Sequence, residues 1–474
     1  MKSEKKTYPK HSKRLNSKSY IGLFIEGFRK YFISHRFDNT NTAKNYIIGL
    51  LKCEKGQANM ERIEEAINKS EYQVYQQFIT NSNWNSAGLQ ESVALKASEV
   101  LNNHKKKSKL PTGYIIDESS HLKKGKMSVG VSRQYAGVSG KVDNSQVAVY
   151  SSMVNEKYAT IINERLFLPK SWTGSKGRCK KAGIPEAFMT YKTKPELALE
   201  MIKQDIDRGV KFDWIGGDGL YGHNSKLCQS LDDIGQFYVL DVHKDDRVYM
   251  EEPSISIPKR KEGSGRKPTR LKADKKLIRL DVLLKTIKEE QWSLEEIRDT
   301  TKGKLKLYIC KMKVWTWDGK EKKARAQTLI ITKTKETKPK IKYSISNGGV
   351  DEYTSQEYGY FVSQRYWVER TFDNAKNELG LSDYQIRKWK AFHHHHSLMM
   401  LASLFIMEEQ MRNHPQVPLL SFRDARILVI VQLFGSDEDL ALRLKQMDRR
   451  HTKRKYDIDL CFRKQREKDE ILTS

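Results

Sequence analysis

The sequence is poor in the features that define secreted and membrane proteins. Its five cysteines, Cys53, Cys179, Cys228, Cys310 and Cys461, are an odd number, scattered, with no Cys-x-x-Cys pair. That spacing fits neither a disulfide framework nor a zinc site, and reads as reduced thiols in a cytosolic protein. Long apolar runs are absent as well. Ile427–Phe434, broken by Gln432, falls far short of the roughly 20 residues a membrane-spanning helix needs. The first ten residues, MKSEKKTYPK, carry charges with no apolar core behind them, so no secretory signal is expected. No repeat of a solenoid kind is present. Acidic residues are in deficit: 87 Lys and Arg stand against 59 Asp and Glu, a net charge of +28 over 474 residues. A surplus of that size points to a polyanionic partner, usually nucleic acid, without separating a DNA enzyme from a passive DNA-coating protein.

The length suggests two to four folding units. The first 20 residues hold seven basic residues against one Glu and read as a basic arm. Helical spacing follows to about Asn103, with Asn39 as a helix cap and helices over Met60–Ile67 and Tyr72–Ile79. The lysine run from His104 to Lys109, before Pro111, reads as a linker. Strands then alternate with helices. Tyr114–Asp117, Gln146–Tyr150, Tyr158–Leu168, Phe212–Asp218 and Phe237–Val242 read as strands, and Pro195–Arg208 and Asn224–Leu231 as helices, which argues for an α/β domain. Lys259–Lys276, with nine basic residues against two acids, reads as a solvated loop, followed by strands over Leu305–Trp317, Ala326–Lys333 and Ile341–Ser346. Helices fit Ser355–Leu379 and Phe392–Arg412, and Ser436-Asp-Glu-Asp starts a last helix whose Arg449–Lys468 stretch carries nine basic residues against three acids.

Three acids stand out. Asp117 and Asp218 each end an apolar strand, and Glu369 lies within a helix. A carboxylate at a buried strand end is costly unless neutralised, and a divalent cation neutralises several at once. Oxygen ligands suit Mg²⁺ or Mn²⁺. Two such ions about 3.5–4 Å apart could activate a water or a 3′-hydroxyl against a phosphodiester. Arg365 precedes Glu369 by four residues and Lys376 follows it by seven. At about 100° per residue the three share one face, suited to metal at its centre and phosphates on either side. Asp373 shares that face and competes with Glu369, whereas Glu378 points away. A lone Asp after a strand is more often a turn or cap residue, and Arg–Glu–Lys on one helix is more often a solvated face.

At these residues the chain resembles the DDE transposases of bacterial insertion sequences, in the cut-and-paste branch with a Y-R-E-K signature. The resemblance rests on Ile116-Asp117-Glu-Ser-Ser, Gly130–Val147, Leu168-Pro-Lys-Ser-Trp, Lys194-Pro-Glu-Leu-Ala, Gly217-Asp218-Gly-Leu-Tyr-Gly and Arg365–Lys376, and covers about residues 110–400. It implies an α/β ribonuclease H-like core interrupted by a β-rich insertion. The expected arrangement is a helical DNA-binding region with a basic arm over 1–110, core over 111–242, insertion over 243–340, core with the catalytic Glu helix over 341–400, and a basic helical region over 401–474.

The resemblance also implies that Asp117, Asp218 and Glu369 are the catalytic, metal-binding acids. They would hold two Mg²⁺ ions per site, with Mn²⁺ able to substitute. Arg365 and Lys376 would hold transposon-end phosphates. The signature tyrosine belongs where Val362 stands, and Tyr360 is the nearest one upstream. Trp315 and Trp317 match the type and position of an insertion-domain residue that holds a flipped base, although an aromatic in a strand is more often core. Arg133, Gln134 and Lys141 could approach phosphates or merely shape a hairpin. Tyr221 and His223 could sit near the cleaved strand, or His223 could cap a helix. His393–His396 lie in a helical pattern, which favours packing and phosphate contact over zinc. The implied activity is binding of terminal inverted repeats, metal-dependent cleavage, and joining of 3′-hydroxyl ends to target DNA by a homodimer acting on the bacterial nucleoid in the cytoplasm. Alternatives are a nuclease without strand transfer and a domesticated DNA-binding protein.

Overall fold

The computed structural model describes residues 17–67, 71–259, 268–336, 338–413 and 419–471. Most of the N-terminal basic arm, and residues 260–267 of the expected basic loop, lie outside them. The described chain divides into two compact units, one of residues 1–93 and 373–452, the other of residues 94–372 and 453–474.

The second unit is a mixed α/β structure on one ten-stranded sheet. Its strands are β1 (Gly113–Leu122), β2 (Ser132–Ala136), β3 (Lys141–Asn155), β4 (Tyr158–Leu166), β5 (Trp214–Gly217), β6 (Tyr238–Val242), β7 (Ser293–Thr300), β8 (Gly303–Thr316), β9 (Arg325–Thr334) and β10 (Ile341–Ser346). They lie in the order β7-β8-β9-β10-β6-β5-β1-β3-β2, with β4 also paired to β3. Only the β1–β5 and β5–β6 pairs are parallel. These central strands are buried on both faces, so they carry apolar runs rather than alternation: Tyr114, Ile115, Ile116, Ile215 and Leu240 are all fully buried. Trp214 fills the space that side chains at Gly113 and Gly216 would occupy. A Cβ at either glycine would come within 2.7 Å of the indole.

The strands of residues 293–346 extend the sheet antiparallel beyond β6, through β10. Two further short pairs, Arg247–Val248 with Ile278–Arg279 and Ile255–Ser256 with Lys272–Ala273, lie in the same stretch of chain. β3 runs much longer than its apolar stretch suggests. One end pairs with β2 and the other with β4, so polar Ser145 and Gln146 are held in ladder positions, and Gln146 Nε2 donates to Val129 O at 2.6 Å.

The expected linker at 104–109 is a correction: residues 86–108 form one helix. Its lysine-rich end is held by long-range partners that periodicity cannot show. His104 contacts Glu156 at 2.8 Å and Lys105 pairs with Asp213 at 2.5 Å. The Lys194–Asp207 helix opens on a capping box, with Thr193 and Glu196 satisfying each other's backbone N–H groups. In the Ser355–Glu378 helix, Tyr358, Phe361, Val368 and Phe372 form the buried stripe, and Arg365 falls on it.

The first unit is helical. Its longest buried helix, Trp389–Asn413, is apolar nearly all round. Here the four-histidine run is packing, and the expectation of phosphate contact fails for three of its members. His394, His395 and His396 are buried. His394 stacks on Trp84, with ring centroids 4.0 Å apart, and burial lowers its pKa to about 3. His395 lies 2.9 Å from the Tyr46 hydroxyl, and His396 bonds within its own helix. Asn39 precedes the Thr40–Lys52 helix, but its amide donates backwards to Phe32 O instead of capping. None of the described helices is long and apolar enough to cross a membrane.

Candidate active site

The parallel register builds the site. Ile116 pairs with Gly217, and Gly217 with Leu240, across β1, β5 and β6. The next residue on each strand is an acid: Asp117, Asp218 and Asp241. Three carboxylates therefore lie in one row, Asp218 and Asp241 at the C-terminal ends of β5 and β6 and Asp117 where β1 passes beyond its parallel pairing. The expectation that Asp117 ends its strand fails, because β1 runs on to Leu122 against β3. Asp218 also caps the short Gly219–Gly222 helix, accepting from Leu220 N–H at 2.9 Å. Gly222 lets that helix lie against β6, since a Cβ there would fall 2.0 Å from Asp241 O.

Asp117, Glu118 and Asp218 each offer a carboxylate oxygen within 4.8 Å of the others, and no other such group of three occurs among the described residues. Glu118 is held by Lys194 Nζ at 2.8 Å and by the Tyr221 hydroxyl, which donates at 3.0 Å. Asp117 accepts from Glu118 N–H at 2.8 Å. Burial raises the Asp117 pKa to about 7; Arg365 opposes the rise, and Asp218 and Glu118 add to it. Asp218 is raised for the same reasons, burial first and Glu118 second. An all-oxygen donor set with a surplus of negative charge fits a hard divalent ion.

Arg365 reaches in from the buried stripe of its helix. Its guanidinium lies 3.6 Å from Asp117, 3.3 Å from Asp241 and 2.9 Å from Glu369. Burial works against its charge, but Asp241, Asp117 and Glu369 outweigh that and raise its pKa. Ser344 on β10 donates to Asp241 at 2.8 Å. Glu369 is thus joined to the acids through Arg365, with its side chain 52% exposed. Glu118 and Asp241 are the residues that sequence reasoning passed over. Glu118 adjoins Asp117 in the quoted motif, and Asp241 sits in the expected strand Phe237–Val242, where only the register reveals its rank.

The remaining expected residues are spread more widely. Lys376 lies seven residues beyond Glu369, among the residues of the first unit. Val362 is buried, and so is Tyr360, whose hydroxyl donates to Pro111 O at 3.0 Å. Arg133 and Lys141 are exposed on the β2–β3 hairpin. His223 pairs with Asp246 at 2.5 Å. Trp315 pairs through its backbone with Tyr249, and Trp317 Nε1 donates to Glu321 O at 2.7 Å. His223 and Trp317 line one pocket of about 290 Å³. Glu378, nine residues beyond Glu369, pairs instead with Arg426 at 2.7 Å. The five cysteines form no disulfide.

Residues 31–304 match the family model described as DDE superfamily endonuclease. The chain is 24% identical over 312 residues to a protein of Microchaete diplosiphon described as a probable transposase for insertion sequence element IS701, covering 65% of this chain and 67% of that one. A cryo-EM structure of the piggyBac transposase synaptic complex with hairpin DNA aligns with 91% of this chain and 80% of its own, at 11% identity and a TM-score of 0.41. Since the family match spans more than half of the sequence, this chain belongs to the DDE superfamily endonucleases and is a transposase of the insertion-sequence kind.

Proposed function

We propose that the protein binds the terminal inverted repeats of its element, hydrolyses DNA there, and transfers the freed 3′-hydroxyl to target DNA. The observation that carries this reading is the row Asp117–Asp218–Asp241 with Glu118 beside it, in which Asp117 meets acids 101 and 124 residues further along the chain. The strand order β4-β3-β1-β5-β6, with only the last two pairings parallel, supports a ribonuclease H-like core, and residues 243–340 serve as its β-rich insertion.

Asp117, Asp218 and Glu369 are the catalytic acids in this reading, with Glu118 as a further oxygen donor. Two Mg²⁺ ions, or Mn²⁺ in their place, would supply activation of the attacking oxygen and stabilisation of the leaving one. Tyr221 and Lys194 hold Glu118 turned towards Asp218. Arg365 holds Glu369 beside the row, and turns to DNA phosphate as the acids find other partners. Lys376, Arg133 and Lys141 contact backbone phosphates. His223 and Trp317 line a pocket beside the cut strand, with Trp315, on β8, two residues before Trp317, whereas Tyr360, buried and bonded to Pro111 O, has no part in it. A homodimer pairs two ends, in the bacterial cytoplasm at the nucleoid.

Asp117→Ala, Asp218→Ala or Glu369→Ala should abolish strand cleavage and leave end binding nearly intact. Cleavage that survives one of these removes that acid from the set. Pre-cut 3′-hydroxyl ends supplied with a target plasmid separate a transposase from a nuclease, because only the former yields joined product.

A further inference from the structure

The outer strands of the sheet carry a second basic surface away from the acids. Along β8, Leu307 and Ile309 face inward and are buried, while Lys304, Lys306 and Tyr308 alternate with them on the other face. Lys333 on β9 stands directly opposite Tyr308, and Lys335 follows two residues on. The Lys333 ammonium lies 4.2 Å from the Trp292 ring centre and 5.0 Å from that of Tyr308.

The last turns of the Asp437–Ile471 helix form the facing wall. Gln465 accepts from Lys304 N–H at 2.7 Å and donates to Lys304 O at 3.0 Å. Asp469 pairs with Lys306 at 2.7 Å and with Lys335 at 2.6 Å, while Glu296 on β7 pairs with Lys304 at 2.7 Å and with Lys306 at 3.0 Å. Between these walls runs a groove of about 980 Å³, whose lining also includes Lys302 and Lys468. Six lysines line it against three carboxylates, those of Glu289, Glu336 and Asp469. A solvated face mixes signs, whereas this one concentrates positive charge in a concavity beside two aromatic rings.

We propose that this groove is a separate binding site for the sugar–phosphate backbone of duplex DNA, and that Asp469 limits its strength by holding Lys306 and Lys335. The identity of the polyanion rests on the transposase reading above.

The test uses the full chain in EDTA, a fluorescein-labelled duplex of arbitrary sequence, and anisotropy titrations over a range of NaCl concentrations. Lys302→Glu combined with Lys468→Glu should weaken binding by on the order of tenfold and reduce the salt slope by about 2, one contact for each lysine. Asp469→Asn should tighten binding by up to about fivefold by releasing Lys335 and leaving Lys306 with Glu296 as its one carboxylate partner. A double variant that binds as the wild type does, with the same slope, overturns the site; an Asp469→Asn protein that binds no more tightly overturns the limiting role of Asp469. Wild-type protein that binds no duplex at all overturns the transposase reading itself, which keeps the two failures apart.

Discussion

Asp117 concentrates the cost of the site in one side chain. Its folded-state pKa of about 7 lies above the ordinary carboxylate value, so the folded protein holds that proton more tightly than the unfolded chain does. This contribution to stability is present in full at low pH and is lost as pH rises through about 7. In EDTA, the melting temperature of Asp117→Asn relative to wild type should therefore climb between pH 5 and pH 8, by roughly 2–4 °C for each kcal/mol removed. A gap that stays constant over that range would show that Asp117 is ionised throughout. Arg365 is the converse case, a cation whose removal leaves Asp117, Asp241 and Glu369 facing one another. Arg365→Ala should cost about 3–5 kcal/mol in urea unfolding without metal, as a broken buried ion pair does. Added Mg²⁺ should return part of it.

At the level of elements, the site depends on register and close approach. Asp117, Asp218 and Asp241 align because the parallel pairings of β1, β5 and β6 stop in step, at Ile116, Gly217 and Leu240. Gly222→Ala would press a methyl group into Asp241 O and separate the Gly219–Gly222 helix from β6. We expect a loss of about 1–3 kcal/mol, as for overpacked interiors, together with loss of cleavage because Asp218 caps that helix. A fully active Gly222→Ala enzyme would show that the helix position does not matter. Much of this was legible in the sequence. Apolar runs ending in Asp117 and Asp218 mark strands that are buried on both faces, and Ser436-Asp-Glu-Asp starts a helix, with Ser436 and Asp439 bonding reciprocally. Asp241 was not legible as a partner, because its rank depends on pairing across two neighbouring strands. Nor was the helical state of residues 104–108, which depends on Glu156 and Asp213 far along the chain. Arg365 carried a signal that is easily missed: it sits on the stripe of Tyr358, Phe361 and Val368, where a solvated arginine would not.

For the molecule as a whole, the net charge of +28 predicts strong, salt-sensitive attachment to DNA of any sequence. Wild-type affinity for random duplex should fall steeply between low and physiological salt. A flat response would mean that the surplus charge serves something other than phosphate. Divalent ions should act on stability as ligands of the folded state, so Mg²⁺ should raise the melting temperature of wild type and leave that of an Asp117→Ala, Asp218→Ala double variant unmoved.

The row of acids across β1, β5 and β6 has one more consequence. Among the described residues, five carboxylates, from Asp117, Glu118, Asp218, Asp241 and Glu369, have Arg365 and Lys194 as their ion-pair partners. The middle of this sheet is in electrostatic debt, and a shortage of cations would loosen the protein from its interior outward rather than from its edges.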